Sequence, residues 1–363
     1  MKVGIMSMQR IQNYGSFLQA YALKKTIESL GHEVVFVDYH PGEIVINHRT
    51  KRSVADFIKL VVRYLDHRTT AKKRRMYQAA HDFPKKYNEM LSMIGVSSAK
   101  NCNSNVDVMV IGSDEVFNCL QDGADVGFSP VLFGHGLSAK KTISYAASFG
   151  FTTLEMLKQY GKDAEVASYL NELDAISVRD KNSYSIVEAL TNKPIAENVD
   201  PVLIYEFQDE VPVIDKKDFI VVYAYRGRIS KDEGKWIKQF AKKHNKTLVA
   251  LGGVQDFCDE YQVVNGFEVL GYIKAADYVI TDTFHGAIFS IKYGKKFAAI
   301  IRDSNRQKLG DLLTKFDVSN RAVYTMETLE DILKSQYDIN NTELRIANEK
   351  SKAVYYLDTN LKR

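Results

Sequence analysis

The stretch ADYVITDTFHGAIFS (276–290) runs from an apolar strand pattern through Thr-Asp-Thr-Phe-His-Gly directly into a helical pattern, which sets one imidazole, His285, at the handover. Where a strand meets a helix N-terminus, unpaired N–H groups and the helix dipole both favour an anion. A histidine held there can give a proton beside that anion, and the ordinary histidine pKa of about 6.5 suits such work near neutrality. Four further segments close other strand patterns: Asn13-Tyr14-Gly15, Gly112-Ser113-Asp114-Glu115, Ser177-Val178-Arg179-Asp180, and Arg302-Asp303-Ser304-Asn305-Arg306. Together they permit acid catalysis on an anionic substrate, which points to an enzyme.

The elements that must carry these residues are legible from hydrophobic periodicity. Residues 3–8 and 33–39 read as strands around a helix at 16–30, with Ala20, Leu23, Ile27 and Leu30 on one face, Ser16 as its cap and Gly31 at its end. Strand patterns recur at 106–113, 142–148 and 175–180, and Asp200-Pro201 marks the exit from the first unit. The alternation restarts with strands at 219–225, 247–253, 278–281 and 297–301, with helices around Trp236–His244 and from Gly286. The expected fold is α/β, two doubly wound Rossmann-like domains facing a cleft. The first spans 1–205 with a basic helical insertion at about 44–100, and the second spans 206–363 and ends in a charged helix.

Bulk properties remove several function classes. With 363 residues, 45% hydrophobic and 26% charged, the chain reads as an ordinary globular protein of about two domains. No run approaches the roughly 20 apolar residues of a membrane span, and MKVGIMSM reads as a strand rather than a signal peptide, so a cytoplasmic location is expected. Cys102, Cys119 and Cys258 are too few and too scattered for a disulfide framework or a metal site. No His-x-x-x-His, Asp-x-Asp, Walker A or Gly-x-Gly-x-x-Gly pattern occurs, so no metal and no cofactor are expected. The net charge of +4 is uneven, with twelve Lys or Arg and three Asp between Arg49 and Lys86. This segment, VADFIKLVVRYL (54–65) and Lys72-Lys73-Arg74-Arg75 included, is either a solvated helix face or a peripheral contact with anionic membrane or a lipid-linked diphosphate. No nucleic-acid motif accompanies the charge.

NYGSFLQAYAL, VIGSDEVFN, SYAASFG, AISVRD and DYVITDTFHGAIFSI, followed by the Asn305-Arg306 pair, resemble in this order the polysaccharide pyruvyl transferase family. The resemblance covers most of residues 3–315, and GSDEVFN and TDTFHG are its most specific parts. It implies a GT-B-like fold with the site between the domains. It also implies transfer of a pyruvyl group from phosphoenolpyruvate to saccharide hydroxyls, on a cell-surface polysaccharide or its lipid-linked precursor, with a pyruvate ketal formed and phosphate released.

On this resemblance His285 is the proton donor, the alternative being a helix-capping histidine held by Asp282. Arg179 grips the donor phosphate or carboxylate through its planar fork, the alternative being a salt bridge to Asp180 or Asp174. Arg306 is the favoured second clamp and Arg302 the other, with a plain ion pair as its alternative. Thr283 and Gly286 complete the donor side. Asn13, Tyr14 and Gly15 line the acceptor side, Gly15 because a side chain would block a close backbone approach. Ser113 and Asp114 can bond sugar hydroxyls, unless Asp114 only caps the next helix. Family members often carry arginine where this chain has Thr283, and Gln and Trp where it has Glu115 and Phe117. The competing classes are a GT-B glycosyltransferase or sugar-nucleotide epimerase, and a non-catalytic glycan-binding protein.

Overall fold

The computed structural model describes residues 1–46, 71–121 and 126–362. The amphipathic stretch 54–65 lies outside these residues. The run 72–75 begins the helix Ala71–Met93.

Two six-stranded sheets, all parallel within each sheet, form the frame. The first holds β1 (Lys2–Met6), β2 (Glu33–Phe36), β3 (Val108–Asp114), β4 (Lys141–Ala147), β5 (Ile176–Val178) and β6 (Ile195–Glu197), in the order β2-β1-β3-β4-β5-β6. The second holds β7 (Phe219–Tyr223), β8 (Thr247–Leu251), β9 (Glu260–Tyr261), β10 (Tyr278–Thr281), β11 (Phe297–Ile300) and β12 (Ala322–Val323), in the order β12-β11-β10-β7-β8-β9. Central strands read as continuous apolar runs because helices cover both faces, and Val3, Ile5, Val221 and Val279 are wholly buried. Each sheet reverses strand order once, between β1 and β3 and between β7 and β10, and ligands of open α/β sheets bind beyond the strand ends at such points. The fold is two Rossmann-like α/β units.

The first helix runs Tyr14–Ser29, two residues earlier than periodicity places it. Its cap is Asn13, whose side chain accepts from the Ser16 N–H at 2.8 Å, so Ser16 is capped rather than capping. Gly31, at φ +85°, ends it as expected. One apolar core runs through both units, with Phe17 and Tyr21 of this helix packing on Phe267 at ring separations of 5.6 and 4.8 Å. The last helix, Ile339–Asn360, reaches back to the first sheet: Tyr356 Oη donates to the Ser144 carbonyl at 2.8 Å, and Lys141 Nζ donates to the Asn360 carbonyl at 2.7 Å.

Candidate active site

His285 is the second residue of the helix Phe284–Lys292, which is separated from β10 by two residues, Asp282 and Thr283. Thr283 caps that helix: its Oγ1 accepts from the Gly286 N–H at 3.0 Å. A Cβ on Gly286 would stand 2.2 Å from Thr281 Oγ1, so only glycine permits this tight turn. His285 is 7% exposed, and its ring lies between Phe284 and Phe289 of its own helix and Gly15 and Asp200 of the first unit. Gly15 lies under the ring so closely that a Cβ there would be 2.2 Å from Nδ1. On the other side Nε2 is 3.4 Å from Oδ2 of Asp200, an electrostatic contact rather than an aligned hydrogen bond.

Asp200 also meets Arg179. The guanidinium, just beyond β5, places Nη1 3.2 Å from Asp200 Oδ2 and Nη2 3.8 Å from Asp114 Oδ1, with its plane over the Phe284 ring at 4.4 Å. Burial alone would lift the Asp200 carboxyl, but His285, Arg179 and the Val202 N–H together hold it below the usual carboxylate range. Burial likewise opposes the charge on Arg179, and Asp114 and Asp200 outweigh it, so that the guanidinium pKa rises. Asp114 is tied in turn to the first helix, accepting from Ser16 Oγ at 2.9 Å. Asn13, Gly15, Asp114, Arg179 and His285 are therefore linked through shared contacts, and Asp200 joins the two units. Next to them Glu115 pairs with Lys308 of the second unit at 2.8 Å; burial opposes its charge, and Lys308, Asn118 and Arg179 still bring its carboxyl down to about 2. A cavity of about 330 Å³ opens beside this cluster, lined by Arg179, Val199 and Asp200 from one unit and Phe284, Lys308 and Leu312 from the other.

Other expected residues fall elsewhere. Arg306 is largely exposed and pairs with Asp303, its near neighbour in sequence, at 3.0 Å. Arg302 is spent on the second unit's own frame, with both Nη atoms donating to Glu233. Tyr14 is buried in packing, edge-on to Phe83 with its Oη accepting from the Val264 N–H. Ser113 is wholly buried, and its carbonyl accepts from Ser7 Oγ. Asp114 caps no helix but closes β3. The carboxylates at Arg179 are not Asp180, which caps the helix Lys181–Leu190, nor Asp174, which accepts from the Thr142 N–H. Asp282 does not hold the imidazole; it faces Arg228 at 2.8 Å and Arg302 at 3.8 Å.

The sequence pattern that defines the polysaccharide pyruvyl transferases matches residues 13–304, a span that contains every member of the cluster. The chain belongs to the polysaccharide pyruvyl transferase family. No curated protein matches it. Among solved structures it is similar to a Thermobaculum terrenum O-GlcNAc transferase mutant (11% identity, TM-score 0.43), covering 99% of this chain and 66% of that one. It is similar too to the Methanocaldococcus jannaschii UDP-GlcNAc 2-epimerase in complex with UDP-GlcNAc and UDP (10% identity, TM-score 0.48), covering 96% and 99% of the two chains. A third is the Streptomyces sp. SF2575 glycosyltransferase SsfS6 with thymidine diphosphate (12% identity, TM-score 0.46), at 99% and 99%.

Within this pyruvyl transferase family chain, Asp200 is the site residue that sequence reasoning missed. The Asp-Pro pair reads as a linker because proline restrains the residue before it. In the structure Asp200 also caps the short helix Pro201–Ile204 with its other oxygen. An aspartate that caps a turn and one that balances two cations look alike in sequence. Among the described residues, no helix is long and apolar enough to cross a membrane, and no group of His, Cys, Asp or Glu could hold a metal ion.

Proposed function

We propose that this protein transfers the pyruvyl group of phosphoenolpyruvate to two hydroxyls of a saccharide, a cell-surface polysaccharide or its lipid-linked precursor. The observation that carries this reading is that Arg179 of one unit and His285 of the other meet on a single buried carboxylate, Asp200. In this reading the arginine grips the donor's anionic oxygens through its fork and the protonated imidazole delivers its proton to C3. The methyl group forms, C2 becomes cationic, and a sugar hydroxyl adds to C2 as its proton passes to the imidazole. The C2–O bond to phosphate then breaks, a second hydroxyl closes the ketal, and its proton leaves with the phosphate. Asp200 supports the imidazolium by charge, and the packed walls of Phe284 and Phe289 around the ring limit water.

The test is phosphate release from phosphoenolpyruvate with and without glycan acceptors. Release should need an acceptor, and His285→Ala should lower it by on the order of 10²–10⁴, the contribution of a positioned acid. A loss below threefold assigns the histidine a structural role and ends the reading.

A further inference from the structure

We infer that Arg228 is a second anion-gripping group of this site, binding the phosphate or carboxylate oxygens of the donor from the second unit; the inference rests on the reading just given. It starts from Asp282, which stands between β10 and the cap Thr283, three residues before His285. The Asp282 side chain is wholly buried, and neither carboxylate oxygen has an aligned hydrogen bond among the described residues. Its charge is met by two guanidinium groups, Arg228 with Nε at 2.8 Å and Arg302 with Nε at 3.8 Å.

The two arginines differ in what remains of them. Arg302 donates through both Nη atoms to Glu233, and through Nη2 to the Arg228 carbonyl at 3.0 Å as well, so its fork is full. Arg228 uses only Nε. No described residue accepts from either of its Nη atoms, and the side chain is 33% exposed. A guanidinium held at Nε by the charge of a buried carboxylate, with both Nη groups open, is set to receive a planar or tetrahedral anion in bidentate fashion.

Its loop follows β7, the neighbour of β10 where the strand order reverses, and ligands of open α/β sheets bind beyond strand ends at such a point. Tyr225, three residues earlier on the same loop, is half-buried, and its hydroxyl pKa is raised by desolvation and by Asp114, while Arg228 opposes the rise; Glu115 and Asp282 add to it. One tyrosine thus feels the polar groups of both units. Asn305 fixes the same corner, with Nδ2 donating to the Asp282 carbonyl at 2.8 Å. Arg228, on the loop after β7, is therefore tied through Asp282 to the strand-to-helix turn that presents His285.

The test is calorimetric titration of the full chain with phosphoenolpyruvate, inorganic phosphate and pyruvate, for the wild type, Arg228→Gln and Arg228→Lys. Arg228→Gln should raise the Kd for phosphoenolpyruvate at least tenfold, and the phosphate and pyruvate arms should show which end of the donor the fork holds. If Arg228→Gln does not fold, Arg228→Lys, which keeps a cation beside Asp282 and loses the fork, should still weaken binding threefold or more. A Kd unchanged within twofold in the folded variants overturns the role of Arg228 and leaves the pyruvyl transfer reading intact. A wild type that binds no phosphoenolpyruvate overturns both.

Discussion

Replacing Gly15 with alanine sets two effects of opposite sign against each other. Gly15 lies in the first turn of the helix Tyr14–Ser29, outside the left-handed backbone region, so helix propensity alone predicts a gain of up to about 1 kcal/mol. The new Cβ, however, would stand 2.2 Å from Nδ1 and 2.3 Å from Cγ of His285, against 3.4 Å or more for ordinary contact. The ring must retreat by about 1 Å, the difference between those distances. It has little room, because Cγ is anchored to its own helix and Asp200 closes the other side at 3.4 Å. Overpacking of this kind costs roughly 1–3 kcal/mol, which exceeds the helix gain, and a 1 Å displacement of a reacting group costs on the order of 10²-fold in rate. Thermal melts and acceptor-dependent phosphate release measure the two consequences in one variant. A Gly15→Ala protein that melts at or above the wild-type temperature and turns over within threefold of it would refute the packing argument.

Two further outcomes follow from the buried charges. Asp200→Asn removes the counter-charge shared by Arg179 and His285, and should cost roughly 3–5 kcal/mol in urea unfolding and at least tenfold in kcat/KM; turnover within threefold would reduce the carboxylate to packing. Glu115 has its carboxyl lowered from 4.5 to about 2, so its link to Lys308 stabilises fully above pH 4.5 and is lost as pH falls toward 2. Glu115→Gln should therefore unfold more easily at pH 7 by on the order of 2–3 kcal/mol, and should show a shallower loss of stability between pH 4.5 and 2 than the wild type; parallel pH profiles would contradict it.

What could be read from sequence alone was set by burial on both faces. Strands β1, β3, β4, β7, β8, β10 and β11 announce themselves because helices cover them above and below, which forces continuous apolar runs. Edge strands β6, β9 and β12 have two or three residues each and only partial cover, so they carry no such run. His285, Arg179, Gly15 and Asp114 are accessible to such reasoning because each lies at or just beyond the carboxyl end of a strand or in the helix that follows it. The reason offered for Gly15 was a ligand approaching its backbone, whereas the imidazole occupies that space. Arg302 and Arg306 end the same kind of strand, yet Glu233 and Asp303 claim them, and neither pairing leaves a periodic trace. Asp200 was hidden by its proline, and Arg228 by a loop with no pattern at all.

By chain the imidazole belongs to the second unit, while its glycine seat and its counter-ion belong to the first. Neither half alone carries the whole arrangement, so it exists only while the shared apolar core holds the two together, and a substitution that loosens that core far from the ring should reach the ring as well.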